Sequence, residues 1–142
     1  MTISSVDTFG TAVNCIDGRA QHPVSEWVRL HGNVKYVDVV TTPGADGILS
    51  QFKTDRARYT RDEVILSVRR HQSAIVAVAG HFDCLANPCK FEIRKDQIRA
   101  AAERVKNWDL GVRVVGLYVN EWGSVDVICD TDEDYPQIRS WL

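Results

Sequence analysis

The sequence predicts a single three-layer α/β domain built on a mostly parallel sheet. Strand-like apolar segments alternate with segments whose apolar residues recur at helical spacing. Residues 73–80 (Ser-Ala-Ile-Val-Ala-Val-Ala-Gly) form an apolar run without alternation, as a strand buried on both faces requires. No repeat, low-complexity stretch or linker interrupts the 142 residues, so 1–142 reads as one domain.

The first strand is expected over 10–16, followed by a turn at Asp17-Gly18-Arg19. Pro23 suits the first turn of a helix, which is expected to begin there. Val24, Trp27, Val28 and His31 would form its inner face, and Gly32 would end it. The second strand is expected over 34–40. It leads into Thr41-Thr42-Pro43-Gly44-Ala45-Asp46-Gly47, a stretch that permits close backbone approach.

Thr60 with Glu63 reads as a capping box opening the next helix, with Val64, Ile65 and Val68 inward. The third strand is the 73–80 run. A helix over 93–108 follows, with Ile98, Ala101, Ala102 and Val105 inward. Arg94, Lys95, Arg99, Arg104 and Lys106 are expected on its solvated face. The fourth strand is 112–119. Glu121-Trp122-Gly123-Ser124 is a hairpin turn into a last strand over 125–129. Asp130, Asp132, Glu133 and Asp134 read as a solvated, frayed end.

Composition excludes several function classes. Hydrophobic residues are 44% and charged residues 25%, which is globular and not disordered. Lys plus Arg is 17 against 19 Asp plus Glu, so no basic excess is available for nucleic acid or an anionic membrane. No apolar run is long enough to span a bilayer. Residues 1–7 lack a basic stretch followed by an apolar run, so a reducing cytoplasm is the expected compartment.

Four cysteines are present: Cys15, Cys84, Cys89 and Cys129. In a cytosolic chain, cysteines near His and Asp point to a metal or to catalysis. Cys129, inside a strand, reads as a small buried hydrophobe. The other chemistry-bearing residues gather past two predicted parallel strands, in Cys15-Ile16-Asp17-Gly18-Arg19 and His81-Phe82-Asp83-Cys84. Ligands of open α/β sheets bind at the carboxyl ends of strands. If the first and third strands are neighbours, Cys15 and His81 meet there, and Cys84 can curl back to them. Two thiolates and one imidazole suit zinc, and three protein ligands leave a fourth position open. Cys89, four residues beyond Cys84 with Pro88 between, could in principle fill it, since zinc spacing tolerates such gaps, but it is not the expected fourth ligand. Asp17 and Arg19, at alternate positions of an extended segment, can converge as a bidentate pair that keeps the carboxylate ionised. Asp83 would hydrogen-bond a metal ligand and hold it in place, or cap a short helix after it. His22 and His31 read as surface and packed helix residues, and His71, beside Arg69 and Arg70, as a cation near a helix end.

Cys-x-Asp-x-Arg followed by His-x-x-Cys resembles the β-class carbonic anhydrases, and the resemblance runs from about residue 10 to 129. It implies zinc on Cys15, His81 and Cys84, with Asp17 and Arg19 orienting the reacting hydroxide. It implies strand order 2-1-3-4-5 with the last strand antiparallel. It also implies a pocket lined by the loop after the second strand, here Pro43-Gly44-Ala45-Asp46. The backbone at Gly44 and Ala45 and the ring of Phe82 are its expected walls. The implied activity is reversible hydration of carbon dioxide to bicarbonate by a lyase. Related zinc hydrolysis of carbonyl sulfide or carbon disulfide, and a silent zinc-binding relative, are the alternatives. The family's dimers and higher assemblies, and a second strand expected at the open sheet edge, imply a homodimer or larger homo-oligomer. The chain departs from the family at Gly18, where serine or alanine is usual, and at Leu85, where glycine is usual. It lacks the Arg-Asn-Ala-Gly wording after the second strand and the N-terminal helical arm, and so reads as a short, divergent member.

Overall fold

A computed structural model describes residues 7–132. Residues 1–6, and Glu133 and Asp134 of the acidic tail, lie outside the described residues. Nine elements follow one another: β1 (Phe9–Asn14), α1 (Gly18–Gly32), β2 (Tyr36–Thr41), α2 (Ala45–Gln51), α3 (Asp55–His71), β3 (Ile75–His81), α4 (Phe91–Lys106), β4 (Arg113–Val119) and β5 (Val125–Asp130).

The strands form one sheet in the order β2-β1-β3-β4-β5. The first three pairings are parallel and β4–β5 is antiparallel. Both the order and the final antiparallel pair agree with expectation. Alternation along the central strands divides the core. Ala12, Ala77, Ala79, Val115 and Leu117 pack with Ala20, Val24 and Val28 of α1 on one face. Val13, Val76, Val78 and Val114 pack on the other face, with Leu49 of α2, Val64 and Val68 of α3, and Ala101, Ala102 and Val105 of α4. All seven residues of β3 are buried, as its unbroken apolar run predicts.

Four local expectations are corrected. First, α1 starts at Gly18, five residues before Pro23, because Asp17 is its N-cap and accepts a hydrogen bond from Arg19 N–H. Pro23 lies inside the helix, in its second turn, and forgoes the one hydrogen bond that an N–H there would donate to Arg19 O. His31 is exposed and stacks on Trp27 instead of entering the core. Second, α3 starts at Asp55, where Thr54 caps by accepting from Ala57 N–H. Thr60 is one turn inside, fully buried, and returns its hydroxyl to Arg56 O. Third, the glycine-rich stretch after β2 makes the close approach expected of it, a Cβ on Gly47 falling 2.7 Å from Asn87 Nδ2, but it does so within a short helix, α2, that was not expected. Fourth, Arg94 is only 3% exposed, and Arg104 donates to the carbonyls of Leu49 and Ser50. Neither lies on a purely solvated face of α4. The tail differs too, since β5 runs to Asp130, whose carboxylate is paired with Arg113 at 2.7 Å.

Candidate metal centre

β1 and β3 are neighbours in parallel register, with Val13 opposite Val78. Cys15 is two residues past Val13, and His81 three past Val78, so both emerge at the same carboxyl end of the sheet. Cys84 comes back to them through a turn in which Asp83 takes the left-handed region (φ 52°). Among the described residues, Cys15, His81 and Cys84 have their ligand atoms within 4.8 Å of one another, and all three are buried. The two sulfurs are 4.0 Å apart.

His81 supplies the sharpest observation. Its Nδ1 lies 2.7 Å from Phe82 O, which can only accept, so Nδ1 carries the proton and donates. Nε2 therefore presents a lone pair. Among the described residues, it is the buried side-chain polar atom left without a partner. A bare buried acceptor costs free energy, which a cation between the three groups would remove. Sulfurs on one tetrahedral zinc at about 2.3 Å stand about 3.8 Å apart, close to the spacing here. The donor set thus fits zinc in number, softness, spacing and tautomer. Burial, followed by the neighbouring Cys15, pushes the Cys84 thiol above its usual value. A bound cation reverses that direction by favouring thiolate.

Asp17 and Arg19 also meet, though not through extended alternation as expected. Asp17 is the helix cap and Arg19 lies in the first turn of α1. Arg19 Nε donates to Asp17 Oδ1 at 3.0 Å and Nη2 donates to Oδ2 at 2.7 Å. These bonds, with the Arg19 backbone N–H, hold the Asp17 carboxyl well below the usual carboxylate range. Asp17 in turn raises Arg19 further above its ordinary value. Arg19 also reaches Asp83 O (3.3 Å) and Oδ2 (3.4 Å), and its guanidinium lies 4.7 Å over the Phe82 ring. Asp83 therefore serves Arg19. No helix follows it to be capped.

The remaining expected residues separate clearly. Gly44, in the left-handed region (φ 62°), directs its N–H toward Cys15 Sγ at 3.5 Å. A Cβ built on Gly44 would come 3.0 Å from Asn87 Cβ. Ala45 is fully buried in the core on the α2–α4 side. Phe82 is half-buried beneath Arg19. Cys89 stands apart from the cluster, 4.0 Å from Gln97 Oε1. Cys129 packs against the core, as its strand position predicts. His22 is exposed, and His71 pairs with Asp38 at 2.6 Å.

Sequence reasoning missed two groups that hold the Cys15 turn. Asn14 is buried, donates to Ala20 O, and accepts from Cys15 N–H at 3.0 Å. Gln21 donates to Cys15 O. An asparagine closing an apolar strand just before a candidate ligand was the available signal for the first.

A family model described as "Putative carbonic anhydrase" matches residues 5–129. The fold is similar to β-carbonic anhydrase isoform I of Trichomonas vaginalis, with TM-score 0.58 and 16% identity, over 92% of this chain and 87% of that one. It is also similar to the carbonic anhydrase of Streptococcus mutans, with TM-score 0.57 and 15% identity, over 91% and 88%. Two tetrameric β-carbonic anhydrases are described from Sordaria macrospora. One matched chain has TM-score 0.55 and 10% identity, over 89% and 83%. No curated protein matches the sequence. Among the described residues, no helix is long and apolar enough to cross a membrane.

Proposed function

Because the chain belongs to this carbonic anhydrase family, as a divergent member, we propose that it is a zinc-dependent lyase that reversibly hydrates carbon dioxide to bicarbonate. The observation that carries the proposal is the unpartnered Nε2 of His81 facing two buried thiols, beside a carboxylate held by arginine. Cys15, His81 and Cys84 are the ligands we assign. Zinc held there supplies a Lewis acid that lowers the pKa of water to about 7.

The chain's own residues then divide the work. Phe82 O holds the imidazole tautomer through Nδ1–H, leaving Nε2 free to ligate. Arg19 keeps Asp17 ionised and fixed, so a carboxylate oxygen can accept a hydrogen bond from a reacting water and orient its lone pair. Capping α1 locks the same carboxylate from the backbone side. The backbone at Gly44 and Ala45 and the ring of Phe82 are the walls we assign to the carbon dioxide pocket.

We also assign the whole chain to one domain in the cytoplasm, acting as a homodimer or larger homo-oligomer. Ile16 (62% exposed) and Leu85 (86% exposed), each next to a cluster cysteine in sequence, leave apolar surface that a second copy would cover. β2 also leaves an open sheet edge.

The test is stopped-flow carbon dioxide hydration across pH, on protein whose zinc content is assayed in the same sample. Hydration that vanishes on zinc removal and returns on reloading supports the proposal. One zinc per chain without hydration at any pH contradicts it.

A further inference from the structure

Beside the cluster lies a polar network that the proposed reaction does not use. Arg94 of α4 and Asp46 of α2 form an ion pair at 3.0 Å, with side chains 3% and 2% exposed. Arg94 Nη2 also donates to Asn87 O at 2.7 Å. The Asn87 amide donates to Gln97 Oε1 at 2.7 Å and to Asp46 Oδ1 at 3.3 Å. Asn87 N–H reaches back to Cys84 O at 3.3 Å. The same network presses on β3, since a Cβ on Gly80 would fall 2.8 Å from Asp46 Oδ2 and 2.9 Å from Arg94 Cδ. Gly80 immediately precedes His81.

A buried ion pair is weak support for stability, because desolvation offsets most of the attraction. Its partners suggest another use. One fork ties together the segment that carries Gly44, the loop that carries Cys84, and the strand end that carries His81. Among the described residues, α4 holds the backbone of the 84–90 loop by two hydrogen bonds, both from Arg94: the fork to Asn87 O and the N–H that closes the turn on Lys90 O.

We infer that Arg94, with Asp46 and Asn87, is a positioning group that sets the Cys84 loop in ligating geometry before the metal arrives. This rests on the zinc reading above. The prediction is a loss of zinc affinity greater than the accompanying loss of fold stability. Outer-sphere partners of metal sites carry about 10–100-fold in affinity, and a fall in that range is expected here.

The experiment is competition for zinc between a chelator and the folded full chain, with the cobalt(II) absorption spectrum as a second readout. Arg94→Met is paired with the double variant Asp46→Asn, Arg94→Met, which leaves no orphan charge if the single variant fails to fold. Asn87→Ala keeps the ion pair and removes only the amide. Arg94→Lys keeps the charge but loses the fork, so it should recover affinity only in part. Val105→Ala, a packing change at a fully buried core position farther along the same helix, is the control for a general loss of stability.

Weakened zinc binding and an altered cobalt spectrum in the folded network variants, with Val105→Ala binding normally, support the inference. Wild-type affinity in those variants overturns it, as does an equal loss in Val105→Ala. A wild-type chain that binds neither zinc nor cobalt overturns the metal reading itself, and the inference with it.

Discussion

Two polar clusters share β1, and only one pairs its members with one another. Thr11 of β1 bonds Ser67 at 2.7 Å and Ser73 at 2.6 Å. Ser67 donates to Asp38, which also takes His71 Nδ1 at 2.6 Å, and the His71 ring stacks on Phe9 at 4.0 Å. At the carboxyl end of the sheet, Cys15, His81 and Cys84 converge, and His81 Nε2 has no partner. Both clusters contain a histidine whose Nδ1 is bonded. What separates them is satisfaction. Groups that pair with one another hold a fold together, while groups that converge around an unpartnered buried nitrogen are arranged for something else.

Four substitutions would break or sharpen this contrast. The largest effect is expected at the open cluster. Cys84→Ser should lose stoichiometric zinc, exceeding the ~10–100-fold carried by an outer partner. Chelator competition with zinc measures this, and retention of full affinity would put Cys84 outside the site. Asp17→Asn comes next. Asparagine still caps a helix, so folding and zinc content should hold while kcat falls by roughly 10²–10⁴-fold. Stopped-flow hydration with zinc assayed in parallel measures it, and unchanged kcat would remove Asp17 from the mechanism.

The closed cluster should answer in stability alone. Thr11→Val removes the hydroxyl shared by Ser67 and Ser73 and should cost about 1–3 kcal/mol in a urea melt, with zinc affinity unchanged. A drop in zinc affinity there would mean that the two clusters are coupled. His71→Leu is the smallest. Its pair with Asp38 is partly exposed (side chains 23% and 29%), so a loss of at most about 1 kcal/mol is expected. A larger loss would show that the ring stack on Phe9 matters more than the hydrogen bond to Asp38.

The open cluster was legible because its residues stand beside strand ends, where a topological rule says that ligands gather. The sheet order was legible through the family resemblance carried by those same residues. The network around Arg94 was not. Charged residues on a helix default to solvent, so Arg94 was grouped with Lys95 and Arg99. Yet it stands four residues before Ile98, on the face that continues through Ala101, Ala102 and Val105, and helical spacing alone would have turned it inward. Thr60 hides the same signal, four residues before Val64. There the Thr60–Glu63 capping pattern competed with the true cap at Thr54, and only the packed inner face of α3 decides between them. Asp17 and Arg19 were paired correctly for an incorrect reason. A capped helix start brings them together, where alternation along an extended chain was expected.

The most direct test is the zinc-edge X-ray absorption spectrum of the zinc-loaded chain, compared with the same spectrum for Cys84→Ser. A wild-type shell with two sulfurs and one imidazole nitrogen, losing one sulfur in the variant, is the expected result. A wild-type shell without sulfur, or one unchanged by Cys84→Ser, would contradict the assignment of the open cluster as the metal site.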